Sequence, residues 1–145
     1  MNYPKLIEIA TKEVVTADIE DSVANAVALM DRYNIRDIII KGRGDFFILT
    51  ASYLLQLELD EVDFATPLKK LGLHKAVITG QDATILDGLK AIQNEDGYIC
   101  IVESGQLRGI VSYSDLSRSL DPSLLAKTQT IEQLAAAGLS SIRVS

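Results

Sequence analysis

The apolar residues Val23, Ala26, Val27 and Met30 recur at i, i+3, i+4 and i+7, the spacing of one helical face. Ser22 stands just before them, where its hydroxyl can accept from the orphan N–H groups of a first helical turn. The period then changes. The stretch "RDIIIK" is short and β-branched, as a buried strand should be, and "GRGD" reads as a turn. A second strand, "FFILT", leads into a short helix, "ASYLLQL".

The same order returns 62 residues later, and residues 22–54 lie over 84–116 without a gap. Ile85, Gly88, Leu89 and Ile92 repeat the helical face, with Thr84 at its start. "YICIVE" and "LRGIVS" repeat the strands around the turn "SGQ", and "YSDLSRSL" repeats the last helix. A first strand is expected near "EVVTA" in one unit and "KAVITG" in the other. Each unit is therefore predicted to be β-α-β-β-α.

One unit of ~60 residues buries little by itself. The fold class expected is α+β, with two such repeats packed sheet to sheet with pseudo-twofold symmetry. Residues 1–60 form the first repeat, 61–120 the second, and 121–145 a C-terminal helix and tail. The joining segment "LELDEVDFATPLKKLGLH" is acidic at first, and Pro67 suits the first turn of a short helix. Asp121 and Pro122 suit the start of the last helix and Gly138 its end, with Leu124, Thr128, Ile131 and Ala135 on one face. That helix reads either as a link to an output domain or as an element that packs on a partner.

Bulk composition narrows the class. The 145 residues are 48% hydrophobic and 23% charged, enough for a real core. A formal charge of −6 disfavours nucleic acid as a partner. The apolar runs fall far short of the ~20 residues a membrane helix needs, and "MNYPKLIEIATKE" has no secretory pattern. The chain reads as soluble and cytoplasmic. A lone cysteine, Cys100, sits in "YICIV" and reads as core packing. His74 is the only histidine, there is no glycine-rich phosphate loop, and no carboxylate pair is tied to one pocket by spacing. The sequence offers little for catalysis and no metal site, so an enzyme is not expected. "ELDEVD" reads as a solvated linker and "RGD" at Arg43–Asp45 as a tight turn.

Candidate chemistry lies in two matching octets, "FILTASYL" (Phe47 to Leu54) and "GIVSYSDL" (Gly109 to Leu116). They share a frame but differ at one position, Tyr53 against Asp115. With the weaker "VVTADIEDSVANAVALM" and "VITGQDATILDGLKAI", they make residues 3–120 resemble the cystathionine-β-synthase (CBS) domain pair, or Bateman module. The resemblance implies a regulatory module that binds AMP, ADP, ATP, S-adenosylmethionine or NAD in clefts between its repeats. It also implies a homodimer that controls a fused or associated effector protein. The family's second-strand proline is replaced by Ile39 and Ile101, the glycine of Gly109 by Phe47, and the ribose-binding acid of Asp115 by Tyr53. The first site is therefore expected to be plugged.

In the second site the resemblance puts Asp115 on the ribose. An ionised carboxylate, an acceptor with two oxygens, suits a sugar diol. Ser112 would help at a phosphate, at the start of the helix. Thr79 and the backbone around Ala83 would border the adenine, with Tyr98 and Ile99 nearby. Thr16 corresponds to Thr79 in the first repeat. Arg36 and Arg118 could meet phosphate, although each also reads as a solvated surface arginine. Ser112-x-x-Asp115 is also nearly a capping box, a use compatible with ligand binding. The alternative to a sensor is a structural dimerisation module with degenerate pockets.

Overall fold

A computed structural model describes residues 3–92 and 97–120. In chain order it contains a short helix α1 (Leu6–Ile9), then β1 (Thr16–Asp18), α2 (Val23–Arg32), β2 (Asp37–Lys41), β3 (Phe46–Thr50) and α3 (Ala51–Leu59). After a 3-10 turn at Leu68–Lys70 come β4 (His74–Lys75), β5 (Val77–Thr79), α4 (Ile85–Ala91), β6 (Tyr98–Glu103), β7 (Gln106–Ser112) and α5 (Tyr113–Ser119). The architecture is α+β and made of two sheet-and-helix repeats. The C-terminal helix expected beyond Asp121 lies outside the described residues.

The sheets follow the apolar runs. In the first repeat the order is β1-β2-β3-β4. Strand β1 is parallel to β2 (Thr16 opposite Ile39), while β2 and β3 are antiparallel (Ile39 opposite Ile48). In the second repeat the order is β5-β6-β7, with β6 and β7 antiparallel and Cys100 opposite Ile110. Three consecutive residues of each second strand are buried, Ile38 to Ile40 and Ile99 to Ile101. An unbroken apolar run, rather than an alternating one, is the signature of a strand covered on both faces. The first-repeat core gathers Ala17, Val23, Ala26, Met30, Ile38, Ile40, Leu49, Leu57 and Leu68, with Tyr53 and Phe47 packed against it. The "SGQ" turn carries positive φ at Ser104 (53°) and Gly105 (76°), as a two-residue hairpin of primed type requires.

Grouping in space departs from order along the chain. Glu13–Ile78 form one compact unit, while the N-terminal arm up to Lys12 belongs with the chain from Thr79 onward. The arm is held by backbone pairing. Leu6 N–H donates to Ala83 C=O and Ile85 N–H to Pro4 C=O, both at 2.9 Å, and Thr11 exchanges bonds of 2.9 and 3.0 Å with Ile110. Segment 66–75 does the same for the first repeat. There Leu68 N–H donates to Asp21 C=O (2.8 Å), Val23 N–H to Thr66 C=O (3.0 Å), and β4 pairs with β3. Each repeat is thus completed by the segment that precedes the other repeat's first strand. Leu6 and Leu68 are the fully buried anchors of these segments.

Two glycines mark where the arm fits. A Cβ on Gly88 would lie 2.8 Å from Leu6 Cδ2, so the helix α4 keeps a residue that costs it about 1 kcal/mol in propensity. A Cβ on Gly109 would lie 2.9 Å from Ala10 Cβ and 3.1 Å from the Thr11 carbonyl.

Candidate functional site

The corner where β7 runs into α5 holds three of the candidate residues in one hydrogen-bonded unit. Ser112 caps α5: its Oγ accepts from Asp115 N–H (3.1 Å), and its own N–H donates to Asp115 Oδ2 (2.8 Å). Asp115 Oδ1 accepts from an Arg118 guanidinium nitrogen at 2.5 Å. The Asp115 side chain is 18% exposed and that of Arg118 73%. The capping role is therefore realised in full. Asp115 serves it with Oδ2 and turns the other oxygen towards the exposed guanidinium of Arg118. The cap uses one lone pair of Ser112 Oγ, and the hydroxyl proton remains able to donate.

The remaining second-repeat candidates are placed less uniformly. Tyr98 lies directly across the ladder from Ser112. Ile99, one residue on, is fully buried and points its Cδ1 towards Gly88, so its side chain belongs to the core. The Ala83 carbonyl accepts from Leu6 N–H, and the Ala83 N–H donates to Gly80 C=O (3.3 Å). The backbone expected beside an adenine thus already serves the arm. Thr79 ends β5, on the strand beside β6. Its Oγ1 is buried without a hydrogen-bond partner, the one such side-chain atom among the described residues. Buried hydroxyls nearly always have a partner.

In the first repeat, Thr16 begins β1 opposite Ile39 and Arg36 is exposed, its carbonyl accepting from Ala51 N–H (2.9 Å). The β3-to-α3 corner keeps the hydroxyl cap, Thr50 Oγ1 accepting from Tyr53 N–H (3.1 Å), but has no acid. A cleft of about 350 Å³ lies instead at the hairpin end of this unit, lined by Ile19, Gly42, Phe47, Arg43 and Lys69 with Glu20 and Asp45. None of these was expected as a ligand residue, because they come from three segments, 19–20, 42–47 and 69, that only the fold brings together. Both acids are paired, Glu20 with Lys69 (2.7 Å) and Asp45 with Lys75 (3.6 Å).

Burial pushes the Cys100 thiol up to about 12, which keeps it protonated and unreactive at neutral pH. Among the described residues no cluster of three or more His, Cys, Asp or Glu could hold a metal ion. Among the same residues, no helix is long and apolar enough to cross a membrane.

The family model for the CBS domain matches residues 6–46 and 69–122. Solved structures agree in fold. A CBS domain protein from Pyrobaculum aerophilum complexed with AMP superposes with a TM-score of 0.68 at 11% identity, over 85% of this chain and 96% of that one. The CBS domain of a bacterial CNNM/CorC family Mg2+ transporter in complex with ATP gives 0.66 at 18% identity, over 79% and 85%. Hypoxic Response Protein I, with two coordinated zinc ions, gives 0.65 at 19% identity, over 81% and 99%. No curated protein matches the chain by sequence.

Proposed function

The chain belongs to the CBS domain family as a tandem pair, and from that membership we propose that it is a regulatory module for an adenosyl ligand. The ligand is AMP, ADP, ATP, S-adenosylmethionine or NAD, taken at the second repeat. Asp115 accepts from the ribose through Oδ1, Ser112 donates with its hydroxyl proton, and Thr79 finds its missing partner on the base. The observation that carries this reading is the buried, unpartnered Thr79 Oγ1, in the unit that also holds the Ser112–Asp115 corner. AMP and ATP complexes among the structural neighbours support the ligand class. Binding shifts the population of the pair's conformations, and the shift passes to a fused or associated effector.

A thermal-shift screen of the five ligands tests it. At about 100 times its dissociation constant a true ligand stabilises the fold by roughly 2.7 kcal/mol. For a chain of this size that raises the melting temperature by about 5–10 °C. No shift with any of the five favours the second reading, a dimerisation module with degenerate pockets.

Exposed apolar residues give that second reading its own support. Leu55 and Leu59, one turn apart on α3, are 67% and 77% exposed. Such a patch suits an interface, and symmetric dimers are the commonest oligomers. A homodimer is expected under both readings. A monomer in sedimentation at tens of micromolar, with and without nucleotide, counts against it.

A further inference from the structure

Asp115 has two oxygens and both are occupied. Oδ2 is fixed by the Ser112 N–H inside the capping box, so giving it up would undo the start of α5. Oδ1 accepts from Arg118, whose side chain is largely exposed. Each carboxylate oxygen can accept more than one bond, but a ribose diol that approaches Oδ1 meets the guanidinium there, and the two compete for it. An exposed ion pair is worth little, so the exchange is cheap. It leaves, however, a freed cation beside the bound sugar. Of the seven candidate residues in this unit, Arg118 bears the only positive charge and Asp115 the only negative one. A 5′-phosphate lies a few bonds from the diol of its own ribose, within the sweep of an arginine anchored one turn along the same helix.

We propose that Arg118 sets the ligand class of this site: it yields Asp115 Oδ1 to the ribose and turns to the ligand's phosphate, so that phosphorylated adenosyl ligands are preferred over adenosine and S-adenosylmethionine. The inference rests on the ligand reading of Asp115 given above. Adenosine offers the displaced guanidinium no anionic oxygen at the 5′ position. S-adenosylmethionine places a sulfonium there, like in charge to Arg118. A phosphate gives the guanidinium a charge-assisted partner in exchange for the one it loses. It also keeps a cation between two anions, the phosphate and Asp115, that otherwise repel.

The test compares AMP, adenosine and S-adenosylmethionine by calorimetry on the whole chain and on three variants. Arg118→Met weakens AMP by about tenfold, the loss of one charge-assisted contact. The same change leaves adenosine and S-adenosylmethionine unchanged or up to about fivefold tighter, the worth of an exposed ion pair no longer competing for Oδ1. Arg118→Lys, which keeps the charge, retains the preference for AMP in part. At 73% exposure Arg118 can be replaced without loss of the fold, which the melting temperature of each variant verifies. An AMP-to-adenosine affinity ratio that Arg118→Met does not alter, while Asp115→Asn weakens both ligands, overturns this inference and leaves the ligand reading standing. If Asp115→Asn binds all three like the parent, or the parent binds none of them, both fall together.

Discussion

The two repeats start their helices differently. In the first, a hydroxyl works alone: Ser22 Oγ accepts from Asn25 N–H and Thr50 Oγ1 from Tyr53 N–H, both at 3.1 Å. In the second, each hydroxyl is answered by an acid three residues on, Thr84 by Asp87 and Ser112 by Asp115. Asp115 is thus one of a pair, and its partner Asp87 sits in the same box at an exposed helix start with no ligand role proposed. A capping box therefore says nothing of a ligand. What separates Asp115 from Asp87 is the second oxygen, held by Arg118. The residues behind the corners differ as well. Phe47 lies opposite Lys75 of β4, whereas at the matching place Gly109 has Ala10 and the Thr11 carbonyl pressed over it.

Exchanging that last pair gives the largest expected effect. Gly109→Phe would drive a ring into space held by the arm, where even a Cβ comes within 3.1 Å of the Thr11 carbonyl. Overpacking against backbone, with displacement of the arm, should cost at least about 3 kcal/mol. The melting temperature should fall by on the order of 10 °C. Adding Ala10→Gly should recover only the part owed to the side chain. If Gly109→Phe melts like the parent, the arm does not complete the second repeat.

Next in size is the contrast between the two corners in solution. Asp115→Asn keeps one acceptor for the cap but loses the charge and an oxygen towards the diol. Its stability should fall by no more than about 1 kcal/mol. Its affinity for the ligand found in the screen should fall about tenfold to a hundredfold. Tyr53→Ala should leave that affinity unchanged, and stoichiometry should be one ligand per chain. Two equal sites in calorimetry would break the asymmetry between the corners.

Most of the fold was legible because local signals and burial agree. The run "YICIVE" forms β6 from Tyr98 to Glu103, and Ser22, Thr84 and Ser112 all cap the helices expected of them. The completing segments were not legible. "YPKLIEIAT" and "TPLKKLGLH" play the same part, yet in the frame of the repeat only Leu6 with Leu68 and Ile9 with Leu71 match in kind. Their bonds are to backbone, which carries no sequence signature, and their partners are far along the chain: Leu6 reaches Ala83 and Thr11 reaches Ile110, while Leu68 reaches Asp21 and His74 lies opposite Ile48. The geometry of the candidate corner was legible where it is local, as in the cap of Ser112 and Asp115 with Arg118 one turn on. It was not where a tertiary partner takes a group, as Leu6 takes the Ala83 carbonyl, or where one residue decides the face, as between Tyr98 and the buried Ile99.

The smallest effect separates the two first helices. At α2 the third residue is Asn25, which has no charge to titrate; at α4 it is Asp87, whose Oδ2 accepts from the Thr84 N–H at 2.8 Å. That backbone bond, then the Thr84 hydroxyl, holds the Asp87 carboxyl below its ordinary 3.8. A carboxyl with a lowered pKa in the folded chain binds its proton more weakly there than in the unfolded chain. Between the two values the unfolded chain carries more protons, and stability rises with pH. The contribution is fully present above the ordinary value and is lost as pH falls through the folded one. Asp87→Asn keeps the Thr84 cap but removes this titration. Urea melts of parent and variant should therefore differ by a constant amount above about pH 5 and draw together as the pH falls below about 4. The same comparison with Asn25→Asp, which supplies the first repeat with an acid at the matching place, should create the acid-side loss that the parent's α2 lacks. If the Asp87→Asn difference is the same at every pH, the box at α4 contributes through shape alone and the charge of its acid is incidental.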